Sequence, residues 1–362
     1  MGCRRGAVSS AWPRIAALLV CLAATTACSS LRYYAHVANG QMRLLAKRES
    51  AAAIVADSHA DPRLRERLRQ ALAAREFAST HLALPRNRSY TGYVELGRPY
   101  ATWNVFATPE FSVDPVTHCF PFAGCVAYLG FFDRARAEQA ARQLAARGDD
   151  TTIEGAAAYS TLGWFADPIL SSMLRWSDDE LDGVIFHELA HQQFYVEDDT
   201  AFNESYASFV QEQGLREWRA SRGRHATESD ADTHDGAFAR LVLDLRDRLR
   251  MLYASGSSAD AMRAGKQAAI ADFRERYARM RDGEWNGDHR RDRWVAASIN
   301  NASLLPFGLY DRWVPAFARL FEDAKGNWPA FHRRVRQLGR LPEAERTRKL
   351  AELDAAGAKP RG

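Results

Sequence analysis

Two histidines and a glutamate occur at a spacing that suits metal-assisted hydrolysis. They lie in the segment His187-Glu188-Leu189-Ala190-His191, an HExxH motif. On a helix, residues four apart lie one turn above each other, so both imidazoles can reach a single ion. Zinc in hydrolytic sites takes three protein ligands and lowers the pKa of water towards ~7, and Glu188 is placed to accept the proton of that water. One zinc ion is therefore the predicted cofactor.

The third metal ligand predicted from the sequence is Glu204, which follows His191 by a short connection. Asp199 or Thr200 can cap a second helix, whose first turn would carry Glu204 back over the first helix. Asp198 and Asp199 are rival ligands, but both fall in the turn itself, where capping is the commoner role. The pattern of metalloprotease sites favours Glu204.

The HExxH segment lies on a helix that the sequence predicts independently of the motif. Ser177 and Glu180 form a capping box, Ser-x-x-Glu, ahead of an apolar run with helical spacing. Because a chance HExxH would not need such a helix, this agreement favours a real metal site.

The first residues have the features of a secretory signal. Basic residues (Arg4, Arg5 and Arg14) precede an apolar run over residues 15–24, and this run is too short to span a bilayer. The tetrapeptide Thr25-Thr26-Ala27-Cys28 resembles a bacterial lipobox, in which Cys28 carries the lipid and becomes the mature N-terminus. The alternative is an ordinary cleaved signal that leaves Cys28 free. With Ser29 rather than Asp after the cysteine, the resemblance to sorted lipoproteins points to the periplasmic face of the outer membrane.

Cys119 and Cys125 are the two cysteines that remain once Cys3 and Cys21 leave with the signal and Cys28 is lipidated. In an oxidising compartment an isolated pair six positions apart indicates a disulfide. Metal binding by the pair is the competing interpretation, with only His118 close by.

Composition places the chain among ordinary folded proteins. Its 362 residues are 46% hydrophobic and 11% aromatic, enough for a packed core. Charged residues make up 26% with a net charge of only +4, so nothing in the balance points to nucleic acid as a partner.

The pattern along the chain predicts an α+β protein with mainly helical N- and C-terminal segments. Helical spacing covers residues 31–84 and most of the chain from 237, while aromatic and β-branched runs indicate strands at 90–93, 100–106, 125–132, 151–153 and 158–162. The predicted divisions are a signal peptide (1–27), a helical segment (28–84), an α+β catalytic core (85–219), a surface loop (220–236), a helical part (237–350) and a frayed tail (351–362).

At the motif residues the chain resembles the gluzincin metallopeptidases, in which HExxH is followed by a helix bearing Asn-Glu, here Asn203-Glu204. It is also similar, over nearly the whole mature chain, to bacterial lipoproteins called predicted aminopeptidases. That similarity runs through Ser30-Leu31-Arg32-Tyr33-Tyr34, Trp103-Asn104-Val105-Phe106-Ala107, Cys119-Phe120-Pro121, residues 158–165, 186–192 and 199–204. Thermolysin-like and alanyl-aminopeptidase-like enzymes leave roughly eighteen residues between the second histidine and the glutamate, whereas twelve separate them here.

The resemblance implies a peptidase that acts on a peptide substrate, with Glu188 as general base. Tyr310 is the first candidate for the oxyanion donor, ahead of Tyr159 and Tyr195. Residues 158–163 are the candidate strand for pairing with the substrate, or an ordinary buried strand.

An aminopeptidase must also bind the substrate's α-ammonium group, and Glu110 and Asp167 are the candidate acids. The alternatives are a zinc endopeptidase, a hydrolase of a non-peptide amide, and a zinc-binding lipoprotein without catalysis. The sequence predicts a membrane partner only through the lipid anchor, and no oligomeric state.

Overall fold

A computed structural model of the protein describes residues 33–120, 124–161, 163–224, 230–307 and 312–357. The signal segment, Cys28 and Tyr310 lie outside these residues. By its internal contacts the chain divides into two units, Met1–Ala46 and Lys47–Gly362. In the first unit, residues 33–45 form helix α1.

The second unit contains every strand of the described residues and the remaining helices. Its helices are α2 (Ala51–Ala56), α3 (Pro62–Thr80), α4 (Arg134–Ala145), α5 (Asp178–Gln193), α6 (Thr200–Ser221), α7 (Asp230–Tyr253), α8 (Ala259–Asp282), α9 (Asp292–Ala296), α10 (Val314–Asp323), α11 (Trp328–Gly339) and α12 (Glu343–Gly357). Its strands are β1 (Glu49–Ser50), β2 (Gly92–Val94), β3 (Thr102–Pro109), β4 (His118–Phe120), β5 (Gly124–Val126), β6 (Tyr128–Phe131), β7 (Asp149–Ala156) and β8 (Ile169–Leu170). The predicted α+β class is confirmed.

Three small sheets organise the strands. β3 lies between β6 and β7 and is antiparallel to both, so that Val105 faces Leu129 on one side and Ile153 on the other. Strand β2 pairs antiparallel with β1 and parallel with β8, and β4 and β5 form a hairpin. Helix α4 begins where Asp133 caps it and ends just before Gly148, whose φ of +94° suits glycine.

Helices α5 and α6 pack closely because glycines stand at their contacts. A Cβ on Gly214 of α6 would lie 2.8 Å from Leu82 and 3.0 Å from Phe186 of α5, and one on Gly183 would lie 2.9 Å from Leu215. Close approach of the two backbones brings the HExxH residues of α5 near the first turns of α6.

The opposite side of α6 is covered by the C-terminal helices. Phe202 packs edge-on against Phe317 of α10, with ring centroids 5.2 Å apart, and Phe209 contacts Phe331 of α11 at 5.1 Å. All four rings are buried, so α6 is held on both sides by apolar packing.

Several segments adopt a secondary structure that differs from the one predicted. The residues predicted as a strand at 158–162 form no strand over 158–161, because Thr161 bonds to the Asp167 side chain instead of to a neighbouring strand. Helices cover both ends of the predicted loop 220–236, since α6 extends to Ser221 and α7 covers Asp230–Tyr253, and the predicted tail from 351 begins as helix α12. The predicted segment 28–84 crosses the division at residue 46.

None of the helices in the part of the chain described above combines the length and apolar composition needed to cross a bilayer.

A buried histidine gives the fold a pH dependence that can be measured. Tyr206 donates a hydrogen bond to Nδ1 of His332 at 2.9 Å, and Nε2 of His332 donates to the Leu82 carbonyl at 2.9 Å, so the imidazole is neutral. Burial lowers the pKa of His332 to about 4. The unfolded chain binds this proton below pH ~6.5 and the folded chain only near pH 4, so stability falls as pH falls through this window. We expect the loss to be about 3 kcal/mol in the free energy of unfolding.

Denaturant unfolding at pH 7 and pH 4.5 of the protein and of His332→Gln tests this prediction. Glutamine keeps a donor for the Leu82 carbonyl but does not titrate, so the variant should lose less stability on acidification. His59→Gln, at an exposed position, is the control and should follow the unchanged protein. An equal loss in His332→Gln would contradict the assignment.

Candidate metal centre

The HExxH helix begins as the sequence predicts. The Ser177 hydroxyl accepts the backbone N–H of Glu180, and the Glu180 carboxylate accepts the backbone N–H of Ser177 at 2.8 Å. This local capping fixes the start of α5 and therefore the direction in which His187 and His191 project.

The connection between α5 and α6 is closed by Asn203. Its amide accepts the backbone N–H of Val196 at 2.8 Å and donates to the Val196 carbonyl at 2.7 Å. Asp199 caps α6 by accepting the N–H of Phe202 at 3.0 Å. These bonds keep the turn compact, so a connection of twelve residues is long enough to bring Glu204 back to His191.

The structure brings the three predicted ligands together. Nε2 of His187 and Nε2 of His191 are 3.1 Å apart, and Oε2 of Glu204 is 3.3 Å from the first and 3.6 Å from the second. Donor atoms ~2.1 Å from a tetrahedral zinc ion lie ~3.4 Å from one another. The observed separations bracket this value, so the triad fits a tetrahedral ion with one position open.

The electrostatics of the triad also suit a cation. Burial by itself would raise the pKa of Glu204, but the imidazoles of His191 and His187 outweigh it and lower that pKa to about 2. Burial would lower the pKa of His191, and the Glu204 carboxylate reverses this and raises it. An anionic carboxylate thus lies where it stabilises positive charge, either a proton on imidazole or a metal ion.

The rival ligands Asp198 and Asp199 have other partners. Asp198, at a positive φ of 62°, accepts the backbone N–H of Cys125 at 2.5 Å. The second oxygen of Asp199 accepts from Arg346 at 2.7 Å. Among the described residues, the histidine and acid side chains that could hold a metal are therefore His187, His191 and Glu204.

The contact of Asp198 also places the cysteine pair. Cys119 and Cys125 are directly opposite each other in the β4–β5 hairpin, and the structure bridges them by a disulfide. The hairpin is thereby tied to the α5–α6 turn through the Cys125 N–H. This pairing leaves neither cysteine as a thiolate ligand for a metal.

Glu188 is half-buried on α5 and directly follows His187 in the chain. Burial raises the pKa of Asp167 to about 6, and the charge of Glu188 adds to that rise. The pKa of Tyr90 is raised by burial first and by Glu188 next. The charge of Glu188 therefore acts on two buried polar residues, Asp167 and Tyr90, of which the sequence analysis named only Asp167 as a candidate for the site.

Tyr90 is a residue that the sequence analysis missed. Its hydroxyl is buried, and its backbone has the left-handed φ of 59°, which is unusual for an aromatic residue. Its N–H donates to the Asp167 carbonyl at 2.6 Å. No sequence signal marks this position, because both the strain and the burial arise from tertiary contacts.

Of the other predicted site residues, Tyr195 lies close to the metal centre, whereas Tyr159 and Glu110 contact other residues. The ring of Tyr195 lies 6.2 Å from that of His191, and the ring of Tyr159 contacts Phe132 at 5.5 Å. Glu110 forms a two-bond ion pair with Arg263, at 2.6 and 3.1 Å. Tyr310, the first candidate for the oxyanion donor, stays a prediction.

Asp167 is also occupied. Its carboxylate accepts the N–H and the hydroxyl of Thr161, at 2.9 and 2.7 Å, and the Ser160 hydroxyl at 3.4 Å. It therefore anchors the segment before it, and neither candidate acid for an α-ammonium group is free of protein partners.

The fold and the site define an α+β protein in which a His-His-Glu triad that could hold a metal ion includes both histidines of an HExxH helix. A family model described as "Putative aminopeptidase" matches residues 32–350. The chain belongs to this family, which supports peptidase activity. No curated protein and no solved structure matches the chain.

Proposed function

We propose that the protein is a zinc-dependent aminopeptidase of the cell envelope. The observation that carries the proposal is the set of three donor atoms at tetrahedral separations. Glu188 lies on the same helix as the two histidines, α5. Membership of the aminopeptidase family supports the peptide as substrate. The envelope location rests on the sequence prediction that Cys28 carries a lipid.

His187, His191 and Glu204 would hold the zinc ion, which when bound supplies a Lewis acid that polarises a peptide carbonyl and lowers the pKa of water. Glu188 then accepts the proton of the attacking water and passes it to the leaving amine. Tyr195, whose ring lies 6.2 Å from that of His191, is a second candidate donor to the developing oxyanion, in addition to Tyr310.

Metal dependence tests the proposal on the full-length protein extracted from membranes. We expect one zinc per chain by elemental analysis, loss of peptide hydrolysis after chelation, and recovery when zinc is added back. One bound zinc without hydrolysis of any peptide in a library would favour a zinc-binding lipoprotein without catalysis. A chain that holds no zinc and is insensitive to chelators would overturn the proposal.

A zinc endopeptidase is the second candidate, because both acids predicted to bind an α-ammonium group are engaged by other residues. Glu110 is paired with Arg263 and Asp167 with Thr161 and Ser160. An endopeptidase needs no such acid, whereas an aminopeptidase does.

Acetylation of the substrate separates these two candidates. We expect a peptide with a free N-terminus to be cleaved at its first bond, and its N-acetylated form to lose most activity. A protein carboxylate left unpaired in a desolvated site costs ~2 kcal/mol or more, which is roughly thirtyfold in rate. Products are identified by mass spectrometry, and equal rates or internal cuts in both peptides would favour the endopeptidase.

A further inference from the structure

A segment next to the HExxH helix carries large aromatic side chains. We define the Trp164 loop as residues 157–161 and 163–167. A Cβ on Gly163, which has a φ of +84°, would lie 3.5 Å from the side chain of Gln192. Gln192 directly follows His191, and its side chain accepts a hydrogen bond from Asn87 at 2.7 Å. The Trp164 loop therefore lies against the last turn of α5.

The loop lies on the Glu188 side of that helix. Gln192 is four residues beyond Glu188, so the two side chains share one stripe and are separated by ~6 Å along the axis. Glu188 also contributes to the raised pKa of Asp167, at the end of the loop.

Hydrogen bonds within the loop fix its conformation. Trp164 donates its backbone N–H to the Thr161 carbonyl at 3.0 Å, and Phe165 donates its N–H to the Thr161 hydroxyl at 3.1 Å. The carboxylate of Asp167 accepts both polar groups of Thr161, and the Asp167 carbonyl accepts the N–H of Tyr90. The aromatic side chains therefore project from an ordered backbone.

Two consecutive aromatic residues of this loop face solvent. The exposed fraction is 70% for Trp164 and 44% for Phe165. The other large hydrophobic residues that are exposed in the described parts of this unit are Tyr100, Tyr128 and Met251, and none of these is adjacent in sequence to another. Rigid aromatic surface is an effective binding element because little side-chain entropy is lost when it is covered.

We propose that Trp164 and Phe165 form a subsite that binds an apolar side chain of the peptide, next to the scissile bond. This inference rests on the proposed function and specifies its substrates as peptides with large aliphatic or aromatic residues at that position. A membrane surface is the competing occupant, but the loop's place against the helix turn that carries His191 favours the substrate.

The test compares two peptides that differ only in having leucine or alanine next to the cleaved bond. In Trp164→Ala and Phe165→Ala, kcat/KM for the leucine peptide should fall by about tenfold, while that for the alanine peptide changes by less than about twofold. Trp164→Phe should keep part of the preference. Met251→Ala, at an exposed position on α7, is the matched control and should leave both values unchanged. Equal zinc content in all variants excludes indirect effects on the metal.

A binding measurement separates this inference from the proposed function. Calorimetric titration of the leucine peptide into zinc-loaded Glu188→Gln, with and without Trp164→Ala, reports the subsite without turnover. Weaker binding after Trp164→Ala supports the subsite even if the unmodified protein hydrolyses no peptide. The inference would be overturned if Trp164→Ala weakened the binding of both peptides equally or of neither. It would also be overturned if the substitution weakened only binding to phospholipid vesicles, a result that would assign the aromatic pair to a membrane surface.

Discussion

Glu188→Gln is expected to lower kcat by about 10²–10⁴-fold while leaving the bound metal in place. Glutamine has the same shape but cannot accept the proton of the attacking water. Glu188 is not among the three donors that converge on one point, so the metal affinity should not depend on its charge. The measurement is kcat on an unblocked peptide, together with zinc per chain by elemental analysis.

The matched control for this variant is Glu197→Gln. Glu197 is exposed in the turn between α5 and α6, so it tests the loss of one nearby carboxylate without removing the base. This control should keep its activity and its zinc. If Glu188→Gln retained more than half of kcat, Glu188 would not be the general base, whatever the state of the metal site.

His191→Ala is expected to weaken zinc binding by more than about 100-fold, because even residues that only support metal ligands contribute 10–100-fold. The variant removes one of three donors and leaves the Glu204 carboxylate without the imidazole that most lowers its pKa. The variant should also lose the stabilisation that zinc gives the folded protein, about 4 kcal/mol at a thousandfold excess over the dissociation constant.

Zinc per chain and thermal unfolding with and without added zinc measure both effects. Glu204→Gln should behave similarly, since a neutral amide is a much poorer ligand for zinc. His59→Ala replaces an exposed histidine and should keep the response to zinc. Equal zinc content in His191→Ala and the unmodified protein would refute the metal centre.

The sequence by itself determined those features that depend on residues close along the chain. Ser177 and Glu180 cap the HExxH helix within one turn, as predicted, and Asp61 and Asp133 cap α3 and α4 by equally local hydrogen bonds. Helical periodicity then places His187 and His191 on one stripe. Such signals are reliable because a cap or an i,i+4 pair needs no distant partner.

Tertiary structure decided which acid completes the metal centre. Glu204, Asp198 and Asp199 are all close enough along the chain to be ligands, and local chemistry favours none of them absolutely. The contacts of Asp198 with Cys125 and of Asp199 with Arg346 come from residues 73 and 147 positions away, and they remove both rivals. Only the packing of α5 on α6 brings Glu204 to the imidazoles.

Tertiary structure also decided the conformation of two segments close to the HExxH helix, residues 158–161 and Tyr90. Residues 158–162 have the aromatic and β-branched pattern of a strand, yet the Asp167 carboxylate accepts the backbone N–H of Thr161, which a neighbouring strand would otherwise bond. Tyr90 has no local signal at all, because its left-handed backbone is held by the carbonyl of Asp167, far along the chain. The pattern of residue types shows whether a segment is apolar or polar. It does not show which group each backbone or side-chain polar group bonds to, because those partners often come from distant segments of the chain.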